Sequence, residues 1–179
     1  MSSRDDLTLF SYEVLCLVGR GGAGAHDLLQ MARRGRFLDW AGESQYYVEP
    51  KRLARLGYLD THKEPGKTRE RTVYTLNEKG VEALCEWAQT PVHFTPLKSE
   101  ALVRLLSTDL VGEPVVRESV ATLRIELEEM RAAVDAEKAF VVTFPHRKKY
   151  LDLGLEFVEG LIGLYEQLIE KVERDFAQP

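Results

Sequence analysis

The 179-residue chain is poor in the residues that mark secreted, membrane-bound or metal-holding proteins. It has two cysteines, Cys16 and Cys85. Both fall within apolar helical patterns, so they read as small core residues, and a disulfide is not expected. The four histidines, His26, His62, His93 and His146, are scattered, and no pair has the spacing of a metal site. No apolar run approaches the roughly 18 residues that span a bilayer. The opening MSSRDDLTLF lacks the basic-then-apolar order of a signal peptide. The expected location is the cytoplasm. There is no GxSxG, no P-loop and no GxGxxG after a strand. Gly19, Gly21, Gly22 and Gly24 follow a helix, the wrong context for a phosphate cradle. The carboxylates of 126–129 fall on the solvated face of a helix. Neither an enzyme nor a cofactor is expected. Internal repeats and low-complexity segments are missing as well.

An excess of positive charge is also lacking, since the net charge is −5. Its distribution is uneven. Residues 1–91 carry 13 basic and 13 acidic residues, and residues 92–179 carry 11 and 16. Residues 51–79 alone hold 8 basic against 4 acidic. A local basic patch is the electrostatic footprint of a nucleic-acid surface, whatever the global sign. Apolar residues make up 44% of the chain and charged residues 30%, which suits one or two helix-rich domains with real cores.

Leu7, Leu9, Phe10, Val14, Leu15, Leu17 and Val18 predict a first helix, stopped by Gly19, Gly21 and Gly22. A second helix uses Leu28, Leu29 and Met31–Ala32 as its inner face and closes at Arg33–Arg34–Gly35. A loop with Phe37 and Trp40 follows. The third helix carries Tyr46, Tyr47, Val48, Leu53 and Leu56 up to Gly57. Residues 58–62 and 72–76 alternate like strands around the turn-forming Glu64–Pro65–Gly66–Lys67–Thr68. Asn77 is placed to cap a helix over 78–89, with Val81, Leu84, Cys85 and Ala88 inward. Thr90–Pro91 and Thr95–Pro96 bracket a domain boundary.

Beyond it the signal is almost wholly helical. A short helix over 97–107 shows Leu102, Val103, Leu105 and Leu106. A long helix starts at Pro114 with Val116, Val120, Leu123, Leu127, Met130 and Val134 at spacings of 4, 3, 4, 3 and 4. The turn falls at Phe144–Pro145–His146. The last helix repeats Val158, Leu161, Tyr165, Leu168 and Val172 at 3, 4, 3 and 4. Both are heptad seams of coiled-coil type and predict an antiparallel pair. The expected fold class is mainly α with a small β-hairpin. A winged helix-turn-helix domain over 1–91 precedes an antiparallel helical dimerisation domain over 92–179.

A basic hairpin directly after an amphipathic helix is the layout of a winged helix, and such domains mostly bind double-stranded DNA. The N-terminal part of the second helix of the motif meets base edges. Here that part holds Ser44, Gln45, Tyr46, Tyr47 and Glu49. Gln45 has the groups to read an adenine edge bidentately, and Tyr46 or Tyr47 to donate to phosphate. Lys51, Arg52 and Arg55 lie further along, suited to phosphates. Lys63, Lys67, Thr68, Arg69 and Arg71 on the hairpin reach towards the backbone or the minor groove. Each signal also has a bland explanation. One tyrosine of the pair is expected to be buried, and a run of cations is often only a solvated face. A winged helix that binds another protein is the alternative. Pro50 falls inside the third helix, where it costs on the order of 3 kcal/mol. The regular helix is therefore expected to start late, near Tyr46 to Glu49, or to kink there.

The pattern SYEVLCLVGRGGAGAHDLLQMA, then QYYVEPKRLARLGYL, then TRERTVYTLNEKGVEAL resembles the PadR-type transcriptional regulators. The part from Thr95–Pro–Leu–Lys–Ser–Glu–Ala–Leu resembles the helical C-terminal domain of the longer members, which are similar there to virulence activators. The resemblance implies a homodimeric repressor or activator on a pseudo-palindromic operator, with a repressor the favoured expectation. It implies that Tyr47, Lys51 and Arg52 sit in or beside the recognition helix and that Lys67, Arg69 and Arg71 form the wing. The chain departs from the pattern at Tyr47–Val48, where Tyr–Pro is usual, and at Gly24–Ala25–His26.

A dimer needs an element that fixes recognition helices about one DNA turn apart, roughly 34 Å. The stripe 158/161/162/165/168/169/172 is wider than a two-helix seam requires. Leu155, Phe157, Leu161, Leu164, Tyr165 and Leu168 are the candidate interface residues. Family members often respond to small apolar or phenolic compounds. That makes Trp40, Trp87, Phe94 and Phe144 candidate pocket residues, against the commoner role of such aromatics in a core.

Overall fold

A computed structural model describes residues 7–34, 41–66, 70–142 and 148–176. The chain divides into two compact units, Met1–His93 and Phe94–Pro179. Among the described residues, no helix is long and apolar enough to cross a membrane.

The first unit runs α1 (Leu9–Val18), β1 (Ala23–Gly24), α2 (Ala25–Arg34), α3 (Glu43–Arg55), β2 (Leu59–Glu64), β3 (Arg71–Leu76) and α4 (Glu78–Ala88). Thr8 starts α1 with a capping box: its hydroxyl accepts from the Ser11 N–H, and its own N–H donates to Ser11 Oγ. Gly19, with φ of 54°, ends it. Phe10, Val14, Leu15 and Val18 of α1 pack with Leu28, Leu29 and Ala32 of α2, Tyr46 and Leu53 of α3, Tyr58 just before β2, and Leu59 and Tyr74 of the sheet. Each fully buried aliphatic side chain there contributes roughly 1.5–3 kcal/mol.

The sheet is antiparallel in the order β1-β3-β2. The hairpin pairs Leu59 with Leu76 through to Glu64 with Arg71. Two-residue β1 adds Ala23 opposite Tyr74 and Gly24 opposite Val73, an edge strand that alternation in the sequence does not reveal. Gly22, at φ of 78°, lets the chain turn into it. An added Cβ would stand 2.8 Å from Thr75 Cγ2. Asn77 then caps α4 by accepting from the Gly80 N–H, while its Nδ2 donates to the Gly57 carbonyl and to Asp60.

Several inward assignments are corrected. Cys16 and Cys85 are exposed. On α1 the face 10/11/14/15/18 is buried, so position 16 points away from it. On α4, Ala83 and Leu84 meet the core while Cys85 and Ala88 face out. Met31 and Val48 also face solvent. Pro50 neither delays nor interrupts α3, which runs in helical geometry from Glu43 with Pro50 buried inside it. Burial of the ring against the core offsets the lost backbone hydrogen bond.

The second unit contains α5 (Glu100–Leu106), α6 (Thr108–Val111), α7 (Glu113–Ala121), α8 (Leu123–Val141) and α9 (Lys148–Asp175). Its core joins Val116 and Val120 of α7, Leu127, Val134 and Val141 of α8, and Leu155, Val158, Ile162, Ile169 and Val172 of α9. The long helix expected from Pro114 is thus two helices meeting at Thr122. Ser119 Oγ bonds back to the Val116 carbonyl and Thr122 Oγ1 to the Ser119 carbonyl, contacts that compete with the helical ladder. On α5, Leu102, Val103 and Leu106 face outward and Ala101 is the buried residue. The antiparallel register of α8 on α9 is marked by Arg124–Glu173, Arg131–Glu166 and Lys138–Glu159, pairs seven residues apart on each helix. These exposed pairs add little stability each but disfavour a slipped register. The expected turn at Phe144–Pro145–His146 lies outside the described residues.

Candidate nucleic-acid interface

Helix α3 buries Tyr46, Pro50 and Leu53, spaced 4 and 3. That seam turns the opposite face outward. Ser44, Gln45, Tyr47, Val48, Lys51 and Arg55 are all exposed, with 44, 48, 51 and 55 in one line along the helix. The exposed stripe therefore carries two cations, two small polar groups, a phenol and one aliphatic residue. Arg33 of α2 bonds Glu43 at 3.0 Å and ties the start of α3 to the helix before it.

Two residues expected on that stripe are drawn inward. Tyr46 is wholly buried, packs edge-on against Phe10 and donates its hydroxyl to Glu13 at 3.0 Å. It is the buried member of the tyrosine pair. Arg52 makes a double contact with Glu49 at 2.9 Å through Nε and a terminal nitrogen, and also reaches Ser11 Oγ at 3.1 Å. Ser11 is itself fully buried and donates to Glu49 at 2.6 Å. This network clamps α3 to α1, so Arg52 sets the angle of the helix rather than projecting from it.

The wing is organised similarly. Arg71 bonds Asp27 of α2 at 2.8 Å and Glu64 of β2 at 3.0 Å. Asp27 also accepts from the Gly24 N–H, so one carboxylate joins the start of α2, the edge strand and the hairpin. Lys63 is exposed and donates to Thr72 across the hairpin. Lys67, Thr68 and Arg69 lie outside the described residues. Hydrogen bonds from His62 and Arg71 hold the Glu64 carboxyl below its ordinary 4.5. A depressed carboxyl stabilises the fold above its unfolded pKa, and that contribution disappears as pH falls through the folded value. Thermal melts from pH 6 to pH 3 should therefore show a smaller acid-induced fall in Tm for Arg71→Gln than for the native chain.

The sequence overlooked Val48 because an aliphatic residue in a helix reads as core. The signal that places it outside is the 46/50/53 seam, since position 48 lies about 200° from Tyr46 at 100° per residue.

In the second unit, Leu155 is spent within the chain's own core and is unavailable to a partner, because α9 turns its 155/158/162/169 seam towards α7 and α8. Phe157 and Leu164 are 75% and 63% exposed. Leu161, Tyr165 and Leu168 join Leu97 and Leu102 around an apolar hollow of about 200 Å³. Of the candidate pocket aromatics, Trp87 stacks on Tyr12 at 4.6 Å and lines a cleft of about 430 Å³ with Tyr58 and Leu7 in the first unit. Phe94 is 91% exposed in the second unit. Trp40 and Phe144 lie outside the described residues.

No protein-family model matches the chain, and no curated protein matches it by sequence. Solved structures do. Bacillus subtilis PadR in complex with operator DNA superimposes with a TM-score of 0.71 at 18% identity, over 92% of this chain and 99% of that one. The same protein with p-coumaric acid gives 0.59 at 18%, over 93% and 99%. A Streptococcus mutans protein gives 0.75 at 14%, over 94% and 98%. The Vibrio cholerae virulence activator AphA gives 0.68 at 16%, over 93% and 97%. What is shared at these identities is the fold, a winged helix followed by a helical C-terminal unit, as the sequence resemblance implied.

Proposed function

We propose that the chain is a PadR-type transcriptional regulator that binds duplex DNA as a homodimer. The observation that carries this is the outward stripe of α3. Its polar and cationic residues lie on the helix that leads into the β2–β3 hairpin, in a fold shared with PadR solved in complex with operator DNA. Gln45, Ser44 and Tyr47 sit in the N-terminal half of α3, where base edges are met, and Lys51 and Arg55 further along suit phosphates. Lys63, with Lys67, Thr68 and Arg69 from the sequence between β2 and β3, would follow the adjacent backbone, while Arg71 holds the hairpin to α2.

Dimerisation is assigned to the outer face of α9. Tyr150, Leu153, Phe157 and Leu164 are more than half exposed and follow a heptad-like spacing. Leu161, Tyr165 and Leu168, half-buried beside them, extend this apolar surface towards the unit's own core. The open cleft lined by Tyr12, Tyr58 and Trp87 together with Lys79, Glu82 and Glu86 is the candidate place for a small phenolic effector.

Replacing both Lys51 and Arg55 by alanine tests the DNA assignment. Each removes one cation from each subunit, so four per dimer. Binding to every duplex should weaken at least about tenfold, and the slope of log K against log salt should flatten by about 3 to 4. An unchanged slope in fluorescence anisotropy would remove α3 from the DNA surface.

A further inference from the structure

Val48 has no structural employment. It is 62% exposed in the middle of a face otherwise made of polar and charged groups, on a helix whose core seam lies on the opposite side. It edges a shallow hollow of about 320 Å³ shared with Lys51, Arg52 and Arg55. The aliphatic stems of Lys51 and Arg55 give the hollow apolar walls beside their charges, while the guanidinium of Arg52 is held inward on Glu49 and Ser11. Single exposed aliphatic residues are common on protein surfaces; this one matters because it stands mid-way along the outward face of α3.

We infer that Val48 reads thymine, packing its isopropyl group on the C5-methyl in the major groove. This rests on the DNA-binding role proposed above and adds a base preference to it. When a helix lies in the major groove, its flanking cations meet phosphates and the centre of its exposed face meets base edges. The C5-methyl of thymine is the apolar group that the major-groove edges of the four bases offer. Lys51 and Arg55 supply the charge complementarity that draws the hollow onto DNA. Gln45 lies three residues earlier on the same face and suits an adenine edge, so the two neighbours together favour A·T pairs.

The test uses the full-length protein and duplexes enriched by it from a random pool. Each thymine of the enriched site is replaced singly by deoxyuridine, which removes the methyl and leaves every hydrogen-bonding group in place. At one or two positions in each half-site the native protein should lose about three- to fivefold in affinity, the worth of one buried methyl group. Val48→Ala should bind the thymine duplex more weakly by a similar factor and show no further loss on the deoxyuridine duplex. Its thermal melt should match the native one, because the residue is exposed. Indifference to deoxyuridine at every position overturns the inference, as does a loss that persists undiminished in Val48→Ala. If no sequence is enriched at all, the failure lies with the DNA-binding proposal, and the thymine contact falls with it.

Discussion

Gly80→Ala should unfold or severely weaken the first unit and abolish DNA binding with it. Gly80 is buried in the first turn of α4, and a Cβ there would lie 2.4 Å from the Tyr58 carbonyl oxygen and 2.6 Å from Leu76 Cδ1. The leucine methyl is the far end of a flexible side chain, but the carbonyl belongs to the main chain entering β2. Around it the structure is fixed on several sides. Asn77 bonds the Gly57 carbonyl and Asp60, and Lys79 bonds the Leu56 carbonyl at 2.6 Å and covers the Tyr58 ring at 4.3 Å. The α3–β2 connection therefore cannot retreat without breaking the α4 cap. Overpacking at such a point costs about 3 kcal/mol or more. In a unit of this size that corresponds to a fall in Tm of more than about 12 °C. Gly21→Ala is the control, since a Cβ there meets nothing within 4 Å. Equal melting of Gly80→Ala and the native chain would mean that α4 is not seated on Tyr58.

Phe157→Glu combined with Leu164→Glu should leave a folded monomer. Both side chains are largely exposed on α9, so a single chain loses little by the change. A twofold interface contains each residue twice, and each buried large apolar side chain is worth roughly 1.5–3 kcal/mol. Losing four such contributions and burying charge in their place weakens association by at least about a thousandfold. Sedimentation should show one chain where the native protein shows two. DNA affinity should fall by about 10²–10⁴, because the second half-site is no longer tethered to the first. A dimer that survives both changes places the interface elsewhere.

The hairpin and the paired long helices were readable because their periods, two and seven, differ from each other and from noise. Edge strand β1 was not, because two residues of Ala–Gly carry no alternation and their pairing is made by backbone alone. The division at Thr122 was hidden because its cause is a pair of side-chain hydroxyls bonding back to carbonyls, with no proline or glycine to mark it. Pro50 was read by its local cost, which burial overrode. At the site, composition named the right elements but could not say which way each side chain turned. Tyr46, Arg52 and Leu155 have the chemistry of contact residues, yet the structure uses them internally. Val48 has the chemistry of a core residue, and the structure leaves it outside.

The most direct test of the central claim is the salt dependence of binding to a duplex enriched by the protein itself, compared with a random duplex. In the proposed dimer, Lys51, Arg55 and Lys63 from two subunits would make six phosphate contacts, which gives an expected slope of log K on log salt of about −5 or steeper. Between 50 and 200 mM salt the affinity should then fall about a thousandfold, with the enriched duplex bound more tightly than the random one throughout. Binding that is absent, or that neither responds to salt nor distinguishes the two duplexes, would contradict the account.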